Sequence, residues 1–139
     1  MTDTITLPGV GDSLAIGVDP CPGKIYLGGE QRVSSDSAPN TSYLAVIDKA
    51  TDSIVNTINM ANYPQGIAVD PIRGTVYMTA GPTAPYYVYA IDEQTDAVTA
   101  TIPSTSFVFG VGIDPVRRTV CVSAKSPCRE RPAFSTAVV

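Results

Sequence analysis

The chain has 139 residues, 44% of them hydrophobic and 16% charged, which fits one globular domain with a buried core and excludes an intrinsically disordered segment. Its net charge of −4 offers no general basic surface to displace counterions, which argues against nucleic acid or an anionic membrane as partner. No apolar run reaches the roughly 18 residues of a membrane span, so none is predicted, and Met1 to Thr6 is polar without a leader-like core, so the chain as it stands reads as cytoplasmic.

Histidine is absent, which removes the commonest general base and transition-metal ligand. Cys21, Cys121 and Cys128 show no metal-ligand spacing. Cys121 and Cys128 lie on the two sides of a candidate hairpin that would pair them, with unpaired thiols as the reading preferred. The twelve prolines and eleven glycines point to many turns and therefore many short strands.

Taken in order, Thr2 to Pro20 (TDTITLPGVGDSLAIGVDP) is a shortened first copy of a stretch that recurs twice more. Thr51 to Pro71 and Thr95 to Pro115 align without a gap and share seven of 21 positions, among them Gly66/Gly110, Asp70/Asp114 and Pro71/Pro115. The spacing of 44 residues falls in the range of propellers and helical arrays, and the alternating apolar pattern excludes helices.

Each unit begins with a segment in which small and β-branched residues alternate: Ala15 to Val18, Gly66 to Val69 and Gly110 to Ile113. A strand tolerates such a small face where backbones crowd, as at the axis of a propeller, so Gly66, Ala68, Gly110 and Gly112 are expected to line a crowded inner edge. Asp19-Pro20, Asp70-Pro71 and Asp114-Pro115 then mark tight hairpins. Gly23 and Gly74 supply the left-handed turn position, whereas Arg118 stands there in the third unit and predicts a strained or rearranged turn.

A second strand follows at Lys24 to Leu27, Thr75 to Met78 and Thr119 to Val122, and a third at Tyr43 to Ile47, Tyr87 to Ile91 and Ser135 to Val139. The turns Asp48 to Asp52 and Asp92 to Asp96 share an Asp-x-x-Thr-Asp pattern that caps its own backbone. Outer strands are expected at Ile54 to Asn59 and Val98 to Ile102, with Ile5 to Leu7 as a spare one at the N-terminus. The predicted fold is all-β: four-stranded antiparallel propeller blades over about 13–59, 64–102 and 107–139, with 2–8 left over, forming a partial propeller or half-ring.

These residues resemble the YVTN-type β-propeller repeat family. Tyr77-Met78-Thr79-Ala80 approximates its Y-V-[AT]-N pattern, Val46-Ile47-Asp48 with Thr51, Ile54 and Thr57-Ile58 its V-I-D-x-x-T-x-x-V-x-x-T-I pattern, and Pro64 with Gly66 to Val69 and Pro71 its P-x-G-I-A-V-x-P pattern. The asparagine closing the first pattern is missing at Gly29, Ala80 and Ala124. The resemblance implies a propeller fold; relatives of this kind include exported binding proteins, lactonase-like hydrolases and the propeller subunit of quinoprotein amine dehydrogenases, and the fold alone does not choose among them.

No catalytic residue, metal site or cofactor is predicted. Asp19, Asp70 and Asp114 form an aligned carboxylate set, read as turn caps, and Tyr26, Tyr77 and Cys121 form one column, read as packing between blades. The candidate ligand surface is the loop end of the blades, with Arg32, Asp36, Tyr63, Gln65, Tyr86 and Phe107, since aromatic residues and arginine dominate contact hot spots. Covering the blade ends is the alternative role for these residues. The function expected is a binding or interaction module; the alternatives are a fragment of a lactonase-like hydrolase with its catalytic residues elsewhere, or a truncated product. Expected partners are a second copy placed head to tail or further blades, besides an unknown protein or small-molecule ligand.

Overall fold

The computed structural model describes residues 4–7, 12–21, 23–32, 40–81, 84–114, 116–124 and 135–138. Eleven strands run through them: β1 (Ser13–Val18), β2 (Lys24–Gln31), β3 (Thr41–Asp48), β4 (Ser53–Met60), β5 (Pro64–Asp70), β6 (Thr75–Ala80), β7 (Tyr86–Asp92), β8 (Val98–Ser104), β9 (Val108–Asp114), β10 (Thr119–Ala124) and β11 (Ser135–Val138). Each pairs antiparallel with its sequence neighbour to give sheets β1-β2-β3-β4, β5-β6-β7-β8 and β9-β10-β11. The protein is therefore all-β, an open row of three antiparallel sheets consistent with a partial propeller, and among the described residues no helix is long and apolar enough to cross a membrane.

The side-chain alternation of the strands decides how the sheets stack. In the first sheet, Gly17, Tyr26 and Val46 lie opposite one another on one face; in the second, Val69, Val76 and Ile91 do the same. These two faces meet in a core of Tyr26, Leu44, Val46, Met60, Val76, Met78, Ala80, Tyr89 and Ile91, with Ile67 and Val69 packed against it. The other face of the second sheet, with Tyr77 and Val88, meets Val111, Val120 and Val122 of the third in a smaller core. First strands sit beside first strands, β1 by β5 and β5 by β9. The second and third sheets thus turn a bulky face back toward their predecessors, and the first and second turn a small-plus-tyrosine face forward, with Cys121 in place of the tyrosine in the third.

The small face does what glycine is needed for at two positions. A Cβ on Gly17 would collide with Cγ2 of Ile67, and one on Gly66 would lie 2.9 Å from the Phe109 carbonyl oxygen. The expectation of crowding fails at Gly112, where a Cβ would meet nothing within 4 Å, and Gly110 has only Ser123 Oγ at 3.3 Å. The cause lies in the neighbour: Gly17 is crowded by the following sheet, and no described residue packs against the forward face of the third.

The hairpins follow the capping logic of their sequences. Asp19 Oδ1 accepts the Cys21 amide (2.9 Å), Asp70 Oδ1 those of Ile72 and Arg73, and Asp114 Oδ1 those of Val116 and Arg117. Asp48 Oδ1 accepts from Ala50 N, Thr51 N and Thr51 Oγ1, and Asp92 Oδ1 repeats this with Gln94 and Thr95; both carboxyls are held below their ordinary range, Asp48 chiefly by the backbone bonds and Asp92 chiefly by the Thr95 hydroxyl. Asp52 and Asp96 share the left-handed position of these turns. Arg118 keeps the turn geometry of Gly74 with φ of 57°, so this turn is strained rather than rearranged.

Thr4 to Leu7 lies in no strand, contrary to the spare outer strand expected at Ile5 to Leu7. A strand exists through its ladder, and this segment pairs with no sheet edge among the described residues.

Candidate functional site

The β2–β3 hairpin and the β4–β5 connection open at the same end of the first two sheets. Glu30 and Ser42 stand opposite each other at the end of the hairpin ladder, followed by Arg32 on one side and preceded by Asn40 on the other. These four residues, with Ala61, Asn62 and Tyr63 from the connection, line an open cavity of about 410 Å³.

The connection is pinned from behind. Asn62 Oδ1 accepts from the Tyr89 hydroxyl (3.2 Å), its Nδ2 donates to the Pro85 carbonyl (3.1 Å), and the Gly81 amide donates to the Tyr63 carbonyl (3.0 Å). Arg32 pairs with Asp12 and stands 3.9 Å from Glu30, so its charge is met by two carboxylates at the cavity wall. The Tyr63 phenol is pushed above its ordinary value by burial first, then by the charges of Asp12 and Glu30. It is a neutral hydroxyl across the physiological range.

A bulge helps set this end. Pro64 pairs with Ala80 and Gly66 with Thr79, so Gln65 is an extra residue in β5; Leu14 holds the same place in β1, and β9 has a matching irregularity between Val111 and Val108. Bulges bend a strand and raise its twist, and they recur beside binding sites.

Of the six residues picked out in the sequence, Arg32 and Tyr63 share the cavity. Tyr86 and Phe107 lie elsewhere, at the junction of the second and third sheets, with ring centroids 5.7 Å apart; Phe107 also meets Phe109 edge-on at 4.0 Å. Gly81 makes room for this ring, since a Cβ there would lie 2.5 Å from Phe107 Cε2. Half-buried Gln65 does not line the cavity, and Asp36 lies outside the described residues.

Glu30, Asn40, Ser42, Ala61 and Asn62 were not anticipated. Their signal was available in part, because Glu30 and Ser42 flank the same long hairpin loop as Arg32.

A second polar cluster lies at the opposite, turn end of the first two sheets. Lys24 Nζ reaches across to Asp96 Oδ1 and the Glu93 carbonyl, each at 2.7 Å. Glu93 meets Asp19, and its carboxyl is pushed up by burial first and then by the Asp19 charge and hydrogen bond. The Tyr26 hydroxyl and Glu93 Oε1 are buried here without a hydrogen-bond partner. Lysine already fills the acidic niche, and no group of three His, Cys, Asp or Glu among the described residues is arranged to hold a metal ion. Cys21 and Cys121 are exposed thiols.

No protein-family model matches the chain, and no curated protein matches it either.

Proposed function

We propose that the chain is a binding module built of propeller-type, YVTN-like blades, with the Arg32–Tyr63 cavity as its ligand site. The observation that carries this reading is the cavity itself: a hairpin of the first sheet and the connection from it to the second converge on about 410 Å³ lined by Glu30, Arg32, Asn40, Ser42, Ala61, Asn62 and Tyr63. Rigid sheets presenting loops at one end suit recognition. The wall combines donors and acceptors with one aromatic face, and its arginine is met by two carboxylates, Asp12 and Glu30, so it disfavours an anion and suits a neutral ligand bearing both kinds of hydrogen-bonding group.

A backbone-amide NMR titration with a capped neutral tripeptide and with a neutral disaccharide tests this. One of the two should shift the amides of Arg32, Ser42, Asn62 and Tyr63, and Tyr63→Ala should abolish the response while leaving the remaining spectrum in place. Shifts confined to other surfaces, or none with either probe, overturn the assignment.

A further inference from the structure

The two outward faces of the row are halves of an interface that the chain already contains twice. In the first junction, Ile67 and Val69 of β5 press onto Gly17 of β1 beside Tyr26. In the second, Val111 of β9 packs against the face holding Tyr77, which stands opposite Ala68. The repeat makes the correspondences direct: Gly17/Tyr26, Ala68/Tyr77 and Gly112/Cys121 are the same cross-strand pair in the three sheets. Ile16 and Val18 likewise stand where Ile67 and Val69 stand.

The two outward faces differ from the covered ones at the corresponding positions. Ile16 is 61% exposed and Val18 52%, although Ile67 and Val69 are half-buried. Tyr26 is wholly buried, whereas Cys121 at its place in the third sheet is exposed. Thr79 Oγ1 donates to the Phe109 carbonyl of the next sheet at 2.8 Å, but Ser123, its counterpart, turns back to accept the Gly110 amide of its own sheet at 2.8 Å. Gly112 faces open space where Gly17 receives Ile67.

We infer that this forward face of the third sheet is a socket for the Ile16–Val18 edge of a second copy of the chain. The occupant follows from continuity with the internal junctions: at both of them this small-plus-column face receives a β-branched inner strand, and among the described residues Ile16 and Val18 are the inner-strand side chains of that kind left uncovered. Two chains joined at both ends give a closed ring of six sheets, within the usual propeller range of about four to eight, and growth stops there. The ligand cavity lies within one chain, away from both of these faces.

Sedimentation velocity on the purified chain, with alkylation of Cys121 in parallel, tests it. The chain should sediment as a dimer, with Cys121 protected at concentrations where the dimer forms. Gly112→Val should yield a folded monomer with a reactive Cys121, because the branched side chain enters open space within the chain yet occupies the place that Ile16 of the partner needs. Gly112→Ala should still dimerise, since Ala68 fills the same slot at an occupied junction. Ile16→Lys should reproduce the monomer from the other side. A wild-type monomer up to about 100 µM, association unaffected by both Gly112→Val and Ile16→Lys, or open-ended polymers in place of a dimer would each overturn the proposal; the first would mean that something other than a second copy covers these faces.

Discussion

At the scale of single residues, the repeat gives internal controls. Gly74 and Arg118 hold the same turn position with φ of 60° and 57°, one with no side chain and one with a long one. The left-handed conformation costs an L-residue roughly 1–2 kcal/mol, while glycine's greater freedom in the unfolded chain takes back about 0.5–1 kcal/mol. Arg118→Gly should therefore stabilise the protein, by up to about 1.5 kcal/mol. The bond from Arg73 Nη2 survives the change because it goes to the Arg118 carbonyl. Gly74→Ala should lose about 1 kcal/mol with no steric contribution, since nothing lies within 4 Å of the new Cβ. Denaturant midpoints of the two variants should move in opposite directions; a fall for Arg118→Gly would mean that the arginine side chain contributes more than its backbone costs. This strain was legible in the sequence because the turn register places Arg118 against Gly23 and Gly74. The open space at Gly112 was not, because a small-residue strand is written the same way whether or not a neighbouring sheet covers it.

At the scale of strands and their junctions, the hairpins are written locally and the junctions are not. Asp48 and Asp92 cap their turns through residues two and three positions away, so a short pattern suffices to read them. The contact of Glu93 with Asp19 joins turns of two different sheets, and no local pattern announces it. The same limit explains the cavity: Arg32 and Tyr63 were legible as residue types on loops, while Asn62 acquires its place from Tyr89 and Pro85 in the next sheet. The Glu93 junction has a pH signature. A carboxyl raised in the folded state contributes stability that is fully present below its unfolded pKa and is lost as pH rises through the folded one. Stability should therefore decline with rising pH just above the ordinary glutamate range. Asp48 and Asp92, lowered when folded, act in the opposite sense, adding stability that is lost as pH falls below the ordinary aspartate range. Glu93→Gln should flatten the decline on the upper side and leave the acid limb in place. Urea midpoints measured at stepped pH decide this, and an unchanged upper slope in the variant would remove Glu93 as its source.

At the scale of the whole molecule, the sheets form a chain of junctions, and stability in such arrays is close to a sum of unit and nearest-neighbour terms. The second sheet is covered on both faces, the first shares the larger core, and the third is held by the smaller core alone. Opening should thus begin at the third sheet and leave the first two paired, at a free energy below that of global unfolding. Native-state hydrogen exchange on the Gly112→Val variant isolates this order from association. The amides of Val120 and Val122 should exchange through a lower-energy opening than those of Leu44 and Met78, although all four side chains are at most 3% exposed. In the wild-type chain the gap should narrow as concentration rises, because closure onto a second copy covers the third sheet on its open side and couples its opening to dissociation. Equal protection of all four amides in the monomeric variant would show that the row unfolds as one cooperative unit, and that the smaller core is no weaker a junction than the larger.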